Sequence, residues 1–567
     1  MASTGTIINR MYSGFRGADF RGEDINLVRS PDCLNMWKNY TEIDSIRTRP
    51  AMERLHNIGS KINGLYSYNG QMLVHSGTIL YKVDTEATVA LYAGLLDEES
   101  NGFVFGDLFY IKDSKKYLVY DGTTVNEVVG YIPTTTIGRR PSGGGTKHED
   151  VNMLSSVRIN TFLADGKSTN YYLDAKNIDS NYTPIVKVNG IATTATGSQY
   201  TVTAVNYEDG YIVFSKAPPA PLTDGQDNVT VQFKKTHSYA DRILGCKLIQ
   251  TFDNRVFFSG NPNYPATVWH TSLNDVTYVS DLDYYNEGTD KANITGMVAG
   301  NNSLWVFREP SDENTNVFYH TPALDDEYGK IYPSSHSSVS LGCTGKAINF
   351  NDDIVFFSPR GMEGINGDIT TEQFVAHRST MVDRKLIAEA DYSKMLLEEW
   401  EGYLMVFIGN KVYLADSRAI FSNENHIEYE WFYWELEKNI TCTRVQNGIL
   451  YLGTDDGGVY TLTDNESDVE CYWVTPKDKF GTAHKMKTTN KRGCVVEATG
   501  DISVYAKTDN DTEFDLIGTY EEIKDFFVSR IKKKKFKDIQ LKFHSTKRFS
   551  LESATLECVV GGYIKGR

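Results

Sequence analysis

A unit of polar turn, short apolar strand, second turn and second strand recurs along this chain, and it constrains the fold more than any other feature. The clearest copy is FDNRVFFSGNPNYPATVWH from Phe252, where a turn at Asp253-Asn254 precedes the apolar run 256–258. Six further copies begin with the same kind of turn. The anchors of the seven copies are Asn69, Asp107, Asn254, Asn302, Asp352, Gly402 and Gly448.

The spacing of these anchors predicts a β-propeller. Successive steps are 38, 147, 48, 50, 50 and 46 residues, and a four-stranded propeller blade occupies about 40–50 residues. Apolar and polar residues alternate incompletely, which is typical of strands buried on both faces. We therefore expect an all-β chain whose propeller has six to eight blades, seven favoured, with a strand from the first sixty residues available to close the ring.

Composition supports this prediction. The chain contains 35 Tyr, 27 Phe and 7 Trp but only 15 Pro among 567 residues. Aromatic side chains fit the half-buried surface of a sheet, whereas Pro cannot donate a hydrogen bond to a central strand. A chain of this length also exceeds one ordinary core, so we expect several domains.

The single long step indicates a domain inserted into the propeller, because it equals one ordinary step plus about 100 residues. The insertion is predicted to begin after the stretch RRPSGGG (139–145), which we interpret as a flexible linker. Asn189-Gly190 and Asp209-Gly210 predict hairpins inside it. These hairpin signals, flanked by strand-like runs, predict a small β-sandwich.

The repeat fades after about residue 470, where longer strand-like runs predict a second β-sandwich. The predicted domains are therefore an N-terminal arm with the first blades (1–144), the inserted sandwich (145–240), the remaining blades (241–472) and the C-terminal sandwich (473–567). Only one segment, DRKLIAEADYSKMLLEEWEG (383–402), carries a partial helical stripe, and we expect a helix there.

No local motif points to catalysis, a metal site or a cofactor. The seven Cys are widely spaced without a CxxC, and the 11 His form no HxH or HxxxH pair. The stretch GTDDGGVYT (453–461) faintly resembles the Asp-box turn of sialidase-type propellers, but it occurs once, and a hairpin turn is the favoured interpretation. We expect a protein that is not an enzyme and has no catalytic, metal or cofactor-binding residues.

The net charge argues against a general nucleic-acid binder. It is −16, whereas such proteins present a basic face to phosphates. One basic cluster stands against this background and is a candidate for contact with DNA or an acidic partner. The favoured alternative is a solvated, Lys-rich edge that prevents unwanted strand pairing. The members of the cluster are Arg530, Lys532, Lys533, Lys534, Lys535 and Lys537.

Signals for export and membrane insertion are not evident. The N-terminal residues lack the apolar region of a signal peptide, and no uncharged apolar run reaches the length of a membrane helix. Widely spaced Cys are consistent with reduced thiols. We therefore expect synthesis in a reducing cytoplasm and no membrane segment.

The first fifty residues carry a distinctive layout, in which Ser30-Pro31-Asp32 and Leu34-Asn35 are followed by Arg47-Thr48-Arg49-Pro50 and Ala51. This layout resembles the N-terminal signature of tailed-bacteriophage structural proteins. In that group an SP…N stretch is followed by a short hairpin and an RxRPG turn, with Gly where this chain has Ala51. The copy at Phe252, the stretch NITGMVAGNNSLWVFRE, the closing SATLECVVGGYIKGR and the insertion's VKVNG pattern also resemble that group.

The resemblance implies a virion protein of the neck or tail, similar to packaged-DNA stabilisation proteins and tail-nozzle proteins. Such a chain would form a cyclic ring, hexamer favoured, that continues the DNA channel, retains packaged DNA and passes it during ejection. The expected partners are copies of itself, portal or adaptor proteins, other tail proteins and, transiently and non-specifically, genomic DNA. The protein would be made in the host bacterial cytoplasm.

Two other hypotheses remain at this point. A tail-associated propeller could bind glycans of the host surface, or it could degrade them. A glycan hydrolase would need two carboxylates at a set distance across a cleft, and no repeated ligand motif in the blades points to either activity.

Overall fold

The computed structural model describes residues 6–563 except 23–24, 42–44, 85–86, 238, 327–328, 338, 367–373, 424–425, 466–467 and 510. The chain divides into two compact units, Met1–Ala90 with Ser338–Arg567, and Leu91–Ser337. The described part of the chain is almost entirely strand and has three short helical segments. They are the α-helices Ala240–Leu244 and Asp383–Leu386 and the 3-10 helix Tyr392–Lys394.

Seven groups of four strands among the described residues are the blades of a β-propeller, as predicted. Six of them are separate four-stranded sheets, and the strands of the sixth blade form one end of a 15-stranded sheet. Blades 1, 5, 6 and 7 belong to the first unit, although the fourth strand of blade 1 runs across the division of the chain. Blade 1 comprises Ile62–Tyr68, Gln71–Ser76, Ile79–Val83 and Thr88–Ala93. Blade 5 comprises Ala347–Phe350, Asp353–Ser358, Gly361–Asn366 and Phe374–His377. Blade 6 comprises Leu396–Trp400, Tyr403–Ile408, Lys411–Asn423 and His426–Glu435.

Blade 7 is completed by a strand from the beginning of the chain. Its fourth strand, Ala51–Asn57, pairs with Gly458–Thr463, so the first sixty residues supply the strand predicted for this purpose. The other strands of blade 7 are Ile440–Gln446 and Ile449–Thr454. Within this unit blade 5 packs against blade 6, blade 6 against blade 7, and blade 7 against blade 1.

The second unit contains three blades and the inserted domain. Blade 2 packs against blade 3, and blade 3 against blade 4. Blade 2 comprises Asn101–Phe105, Leu108–Lys112, Tyr117–Tyr120 and Val125–Glu127. Blade 3 comprises Leu248–Phe252, Arg255–Ser259, Thr267–His270 and Tyr284–Asn286. Blade 4 comprises Ile294–Gly300, Ser303–Arg308, Val317–His320 and Ser334–His336, with an added hairpin of Ala323–Asp325 and Gly329–Ile331.

The seven sequence anchors all lie in the two-residue turn that joins the first and second strands of a blade. In six blades both turn residues have positive φ, as Asp253 (50°) and Asn254 (55°) do, which is the mark of a type I′ turn. In blade 2 only Gly106 has positive φ (58°), as expected for type II′. Asn, Asp and Gly tolerate this left-handed conformation, so turn chemistry explains the repeat.

The inserted domain is a sandwich of a six-stranded and a three-stranded sheet. Side chains of both sheets, among them Phe162, Tyr171 and Val231, form one buried core. The six-stranded sheet comprises Thr134–Arg139, Thr146–Lys147, Val157–Phe162, Ile185–Val188, Ile191–Ala192 and Val229–Lys234. The three-stranded sheet comprises Asn170–Tyr172, Val202–Asn206 and Tyr211–Phe214.

The stretch 139–145 is not the linker that we predicted. The strands Thr134–Arg139 and Thr146–Lys147 on either side of it pair with each other inside the six-stranded sheet. Gly143, Gly144 and Gly145 all have positive φ, which permits this tight reversal. The first strand of the sandwich therefore begins before residue 145.

The C-terminal domain is built around two long strands. The first half of Lys485–Thr508 pairs with Phe549–Tyr563 and its second half with Ile539–Ser545, so one strand serves both layers of the sandwich. The N-terminal strand Thr6–Ser13 joins the domain by pairing with Phe549–Tyr563. The remaining strands are Cys471–Val474, Asp515–Ile523, Phe526–Ser529 and Lys534–Phe536. The short strands of the N-terminal arm are Gly17–Ala18, Arg29–Ser30, Cys33–Leu34, Met36–Lys38 and Ile46–Thr48.

The helix predicted over 383–402 is wrong over most of its length. The α-helix ends at Leu386, and Leu396–Trp400 is the first strand of blade 6, paired with Tyr403–Ile408. The stretch has residues spaced for a helix, but pairing within the blade overrides that local preference, and Trp400 is buried there.

Candidate functional site

Four residues of the N-terminal stretch 29–49, together with Glu430, connect the arm to the rest of its unit. We call this set, Arg29, Ser30, Asn35, Arg49 and Glu430, the N-terminal clamp. The hydroxyl of Ser30 donates to the carbonyl oxygen of Val474 at 2.7 Å. The guanidinium of Arg29 forms a bidentate pair with Glu430 at 2.6 and 3.0 Å. The N-terminal arm is therefore tied both to the C-terminal domain and to the fourth strand of blade 6.

Asn35 is the centre of the clamp. Its φ of 55° lies in the left-handed region, which Asn tolerates better than most residues. The side-chain oxygen accepts from Arg49 Nε at 2.9 Å and from the backbone N–H of Glu435 at 2.8 Å. The side-chain amide donates to the carbonyl of Glu470 at 2.8 Å. One side chain thus links the arm, blade 6 and the segment that enters the C-terminal domain.

Arg49 is a buried cation held by several acceptors. Only 1% of its surface is exposed, and it donates to the carbonyls of Pro50 and Glu435 at 2.9 Å and to the Glu437 carboxylate at 2.6 Å. Burial lowers the pKa of Arg49, and Glu437 opposes that shift. A buried charge persists only when its donors are satisfied, so this Arg has a structural role.

The predicted basic cluster lies on a bulged segment at one side of the C-terminal sheet. Ile531 and Phe536 are buried and anchor the segment. Thr489 holds its backbone, donating from N–H to the carbonyl of Lys533 and accepting from the Lys533 N–H, both at 2.9 Å. Lys535 has a φ of 61°, which marks the bulge.

The members of the basic cluster differ in pairing and in exposure to solvent. Lys533 forms an ion pair with Asp515, so its charge is already compensated. The side chain of Lys534 lies outside the described part of the structure. The members exposed to solvent are Arg530, Lys532, Lys535 and Lys537.

Charge is distributed unevenly along the chain. Residues 473–567 contain 19 Lys and Arg against 13 Asp and Glu, a net charge of +6. Residues 1–472 contain 39 Lys and Arg against 61 Asp and Glu, a net charge of −22. The acidity of the protein therefore belongs to the arm, the propeller and the insertion, while the C-terminal domain is basic.

An open groove of about 770 Å³ lies among the first hairpin turns of blades 2 and 3. Asp107, Asp253 and Asp275 line it together with Arg255 and the ring of Tyr110. Asp253 accepts hydrogen bonds from Lys330 and Tyr332. Burial acts to raise the pKa of Asp253, but the bonds from Lys330 and Tyr332 lower it overall. This carboxylate is suited to accept hydrogen bonds rather than to donate a proton.

His377 in blade 5 lies between two carboxylates. Its Nδ1 lies 3.2 Å from Glu363 and its Nε2 lies 2.5 Å from Asp383. Burial acts to lower the pKa of His377, but the two carboxylates raise it to about 9. The hydroxyls of Ser358 and Ser379 donate to the same carboxylates. The polar groups of the cluster therefore hydrogen-bond to one another, and the cluster stabilises the blade.

Sites of other kinds have no candidate among the described residues. No group of three or more His, Cys, Asp and Glu side chains there is placed to hold a metal ion. No described helix is long and apolar enough to cross a membrane. The stretch 453–461 forms the turn between Ile449–Thr454 and Gly458–Thr463, the hairpin favoured from the sequence.

Sequence reasoning located some of these residues and missed others. Asn35 and Arg49 were marked by the phage-like layout, without any indication of what they contact. Glu430 and Glu435 carry no local signal, because their partners lie about 400 residues away. The basic cluster was found from its composition, but its division into exposed and paired members depends on the fold.

Comparison with known proteins supports no assignment beyond the fold. No protein-family profile and no curated protein matches the sequence. Among solved structures, BamB from Moraxella catarrhalis is 11% identical with a TM-score of 0.34 over 76% of this chain and 93% of its own. The computationally designed Ika8 protein is 12% identical with a TM-score of 0.31 over 72% of this chain and 98% of its own. A virginiamycin B lyase from Staphylococcus aureus is 11% identical with a TM-score of 0.20, over 50% and 99%. These values carry no argument about function, and the fold assignment stands on the seven four-stranded blades themselves.

Proposed function

We propose that this chain is a structural virion protein of a tailed phage, one subunit of a ring in the head–tail connector or tail nozzle. The ring continues the DNA channel, retains packaged DNA and passes it during ejection. The N-terminal clamp is the observation that carries this proposal. The residues that resemble the phage signature are also the ones that tie the arm to the propeller and to the C-terminal domain, and a signature with a structural task supports a structural role.

The charge distribution fits the same role. A net charge of −22 on residues 1–472 repels DNA phosphates and lets DNA pass without adhering. Cyclic closure also requires a heterologous interface, in which one surface patch docks on a different patch of the next copy. A chain with an acidic part and a basic part provides two unlike surfaces for such contacts.

The proposal is tested by locating the protein in assembled particles. Leu222, in a loop of the insertion, is fully exposed, so a hexahistidine peptide inserted after it leaves the sandwich core intact. Nickel-gold label on tagged particles, with untagged particles as the control, should appear as a ring between head and tail or at the tail nozzle. Label at the fibres only, or particles that lack the protein, would contradict the proposal.

The groove of blades 2 and 3 favours a second candidate function, binding of a host-surface glycan. Three carboxylates, Arg255 and Tyr110 line it, and sugars are commonly bound by such hydrogen-bonding groups beside aromatic rings. The lowered pKa of Asp253 favours binding over hydrolysis. Calorimetry with purified host polysaccharide should detect binding that Arg255→Ala weakens, and no heat change with the wild-type protein would exclude this function.

A further inference from the structure

The C-terminal sheet has an exposed face of apolar and basic side chains, on which the exposed Glu497 lies beside Phe526. We call it the outer face, formed by Ile7, Met11, Val495, Phe526 and Val528 with the exposed basic residues Arg530 and Lys532. The five apolar side chains expose 40–61% of their surface. Soluble monomers rarely expose large contiguous apolar patches, and those that do usually use them to bind a partner.

The strand register places these side chains together. Met11 pairs with Thr555, Thr555 with Val495, and Val495 with Val528, in a row across four neighbouring strands. Phe526 and Val528 lie on the same side of the last strand, which ends at Ser529. Arg530 and Lys532 are exposed on the irregular segment that follows, where Ile531 is buried. The basic part of the face therefore follows the apolar part along the chain.

This mixture fits a protein partner better than DNA. Apolar side chains at the centre of a face gain nothing from contact with phosphates, whereas protein interfaces combine an apolar core with a charged rim. Lys533 is also already paired with Asp515. An acidic and partly apolar protein surface is the complement that the outer face requires.

The same chain carries such a surface on blade 3, which we call the acidic loop, Asp281–Tyr284. Leu282 and Tyr284 expose 59% and 45% of their surface. Burial raises the pKa of Asp283 to about 6; Arg255 opposes this shift, whereas Asp150 and Asp281 add to it. Lys147 already pairs with Asp150, and a basic partner would place further positive charge beside Asp281 and Asp283.

From this complementarity we propose that the outer face of one copy docks on the acidic loop of a second copy. The inference rests on the proposed ring and assigns its contact surfaces. The contact is heterologous, because the two surfaces differ, and repetition of it either closes a ring or continues as a filament.

The test reverses charge on each surface, alone and together. One variant carries Arg530→Glu with Lys532→Glu, a second carries Asp281→Lys with Asp283→Lys, and a third carries all four changes. The control is Lys477→Glu with Lys479→Glu, which makes the same charge change at two exposed Lys of the same domain. Association is measured by light scattering against protein concentration.

Each reversed surface alone should weaken association by about 100-fold or more, because like charges then face each other. The four-change variant should associate again, and so should a mixture of the two single-surface variants. The control should match the wild type. Recovery in the four-change variant would also show that both sets of substitutions leave the chain folded.

Three results would overturn the inference. If neither charge reversal weakened association, the copies would associate through other surfaces. If the wild-type chain had the monomer mass of 63.8 kDa at every concentration, the proposed contact between copies would be refuted. Gold-labelled rings in particles would still support the proposed function in that case. Binding of a double-stranded DNA fragment that Arg530→Glu with Lys532→Glu abolishes, without recovery in the four-change variant, would assign the outer face to DNA.

Discussion

Replacement of Arg49 by Met tests whether the N-terminal clamp holds the arm in place. The substitution removes hydrogen bonds to Asn35, to the Pro50 carbonyl and to the Glu435 carbonyl. Each of these hydrogen bonds contributes about 1 kcal/mol net to the free energy of unfolding. The pair with Glu437, whose side chain is 49% exposed, adds less than about 1 kcal/mol. We therefore expect the free energy of unfolding to fall by about 3–4 kcal/mol.

The assay is urea unfolding followed by tryptophan fluorescence, since Trp37, Trp434 and Trp473 are buried in the same unit. Arg49→Lys should recover part of the loss, because Lys keeps the charge but cannot reproduce the fork of donors. Arg54→Met is the matched control: Arg54 is exposed on the strand that follows, and its loss should change stability by less than about 0.5 kcal/mol. An Arg49→Met protein as stable as this control would refute the structural role of the clamp.

Two further predictions concern the insertion and blade 5. Gly190 and Gly210 have similar positive φ values, but a Cβ at Gly190 meets nothing within 4 Å, whereas one at Gly210 lies 1.8 Å from the Ala175 carbonyl oxygen. Gly190→Ala should cost about 1–2 kcal/mol and Gly210→Ala clearly more; equal melting temperatures for the two variants would contradict the close approach of the two backbones at Gly210. His377 has a folded pKa of about 9, above the unfolded value of about 6.5. Its stabilising contribution should be complete below about pH 6.5 and lost as pH rises through 9, and His377→Gln should remove that loss. If the free energy of unfolding of His377→Gln fell over the same pH range as that of the wild type, the titration would belong to another group.

The propeller was predictable because its signal is local. Each anchor marks a turn in which one or both residues have positive φ, and Asn, Asp and Gly indicate such turns in the sequence. The regular spacing of these turns then follows from the length of a blade. Local chemistry that repeats is the kind of information a single sequence carries well.

The errors arose where pairing partners decided the structure. Leu396–Trp400 has residues spaced for a helix, but it becomes a strand because Tyr403–Ile408 lies beside it. The Gly-rich stretch 139–145 was interpreted as a linker, yet the residues that flank it pair within one sheet, Thr136 with Lys147 and Ile137 with Thr146. Gly allows both a flexible linker and a tight reversal of the chain, and only the neighbouring strands decide which of the two forms.

The candidate sites show the same limit. The basic cluster is visible in the sequence, but the apolar half of the outer face draws on strands around residues 11, 495 and 528, which no local pattern connects. The clamp likewise depends on contacts such as that between Asn35 and the Glu435 N–H. Both sites are formed by residues that are far apart in the sequence and are brought together by the fold.

The most direct test of the central claim is the native mass of the purified full-length chain, measured by light scattering alone and with extracts of assembled particles. The proposed function predicts a discrete ring, a small multiple of 63.8 kDa with six copies favoured, either in solution or on docking to particle proteins. A chain that remains a monomer under both conditions would contradict it.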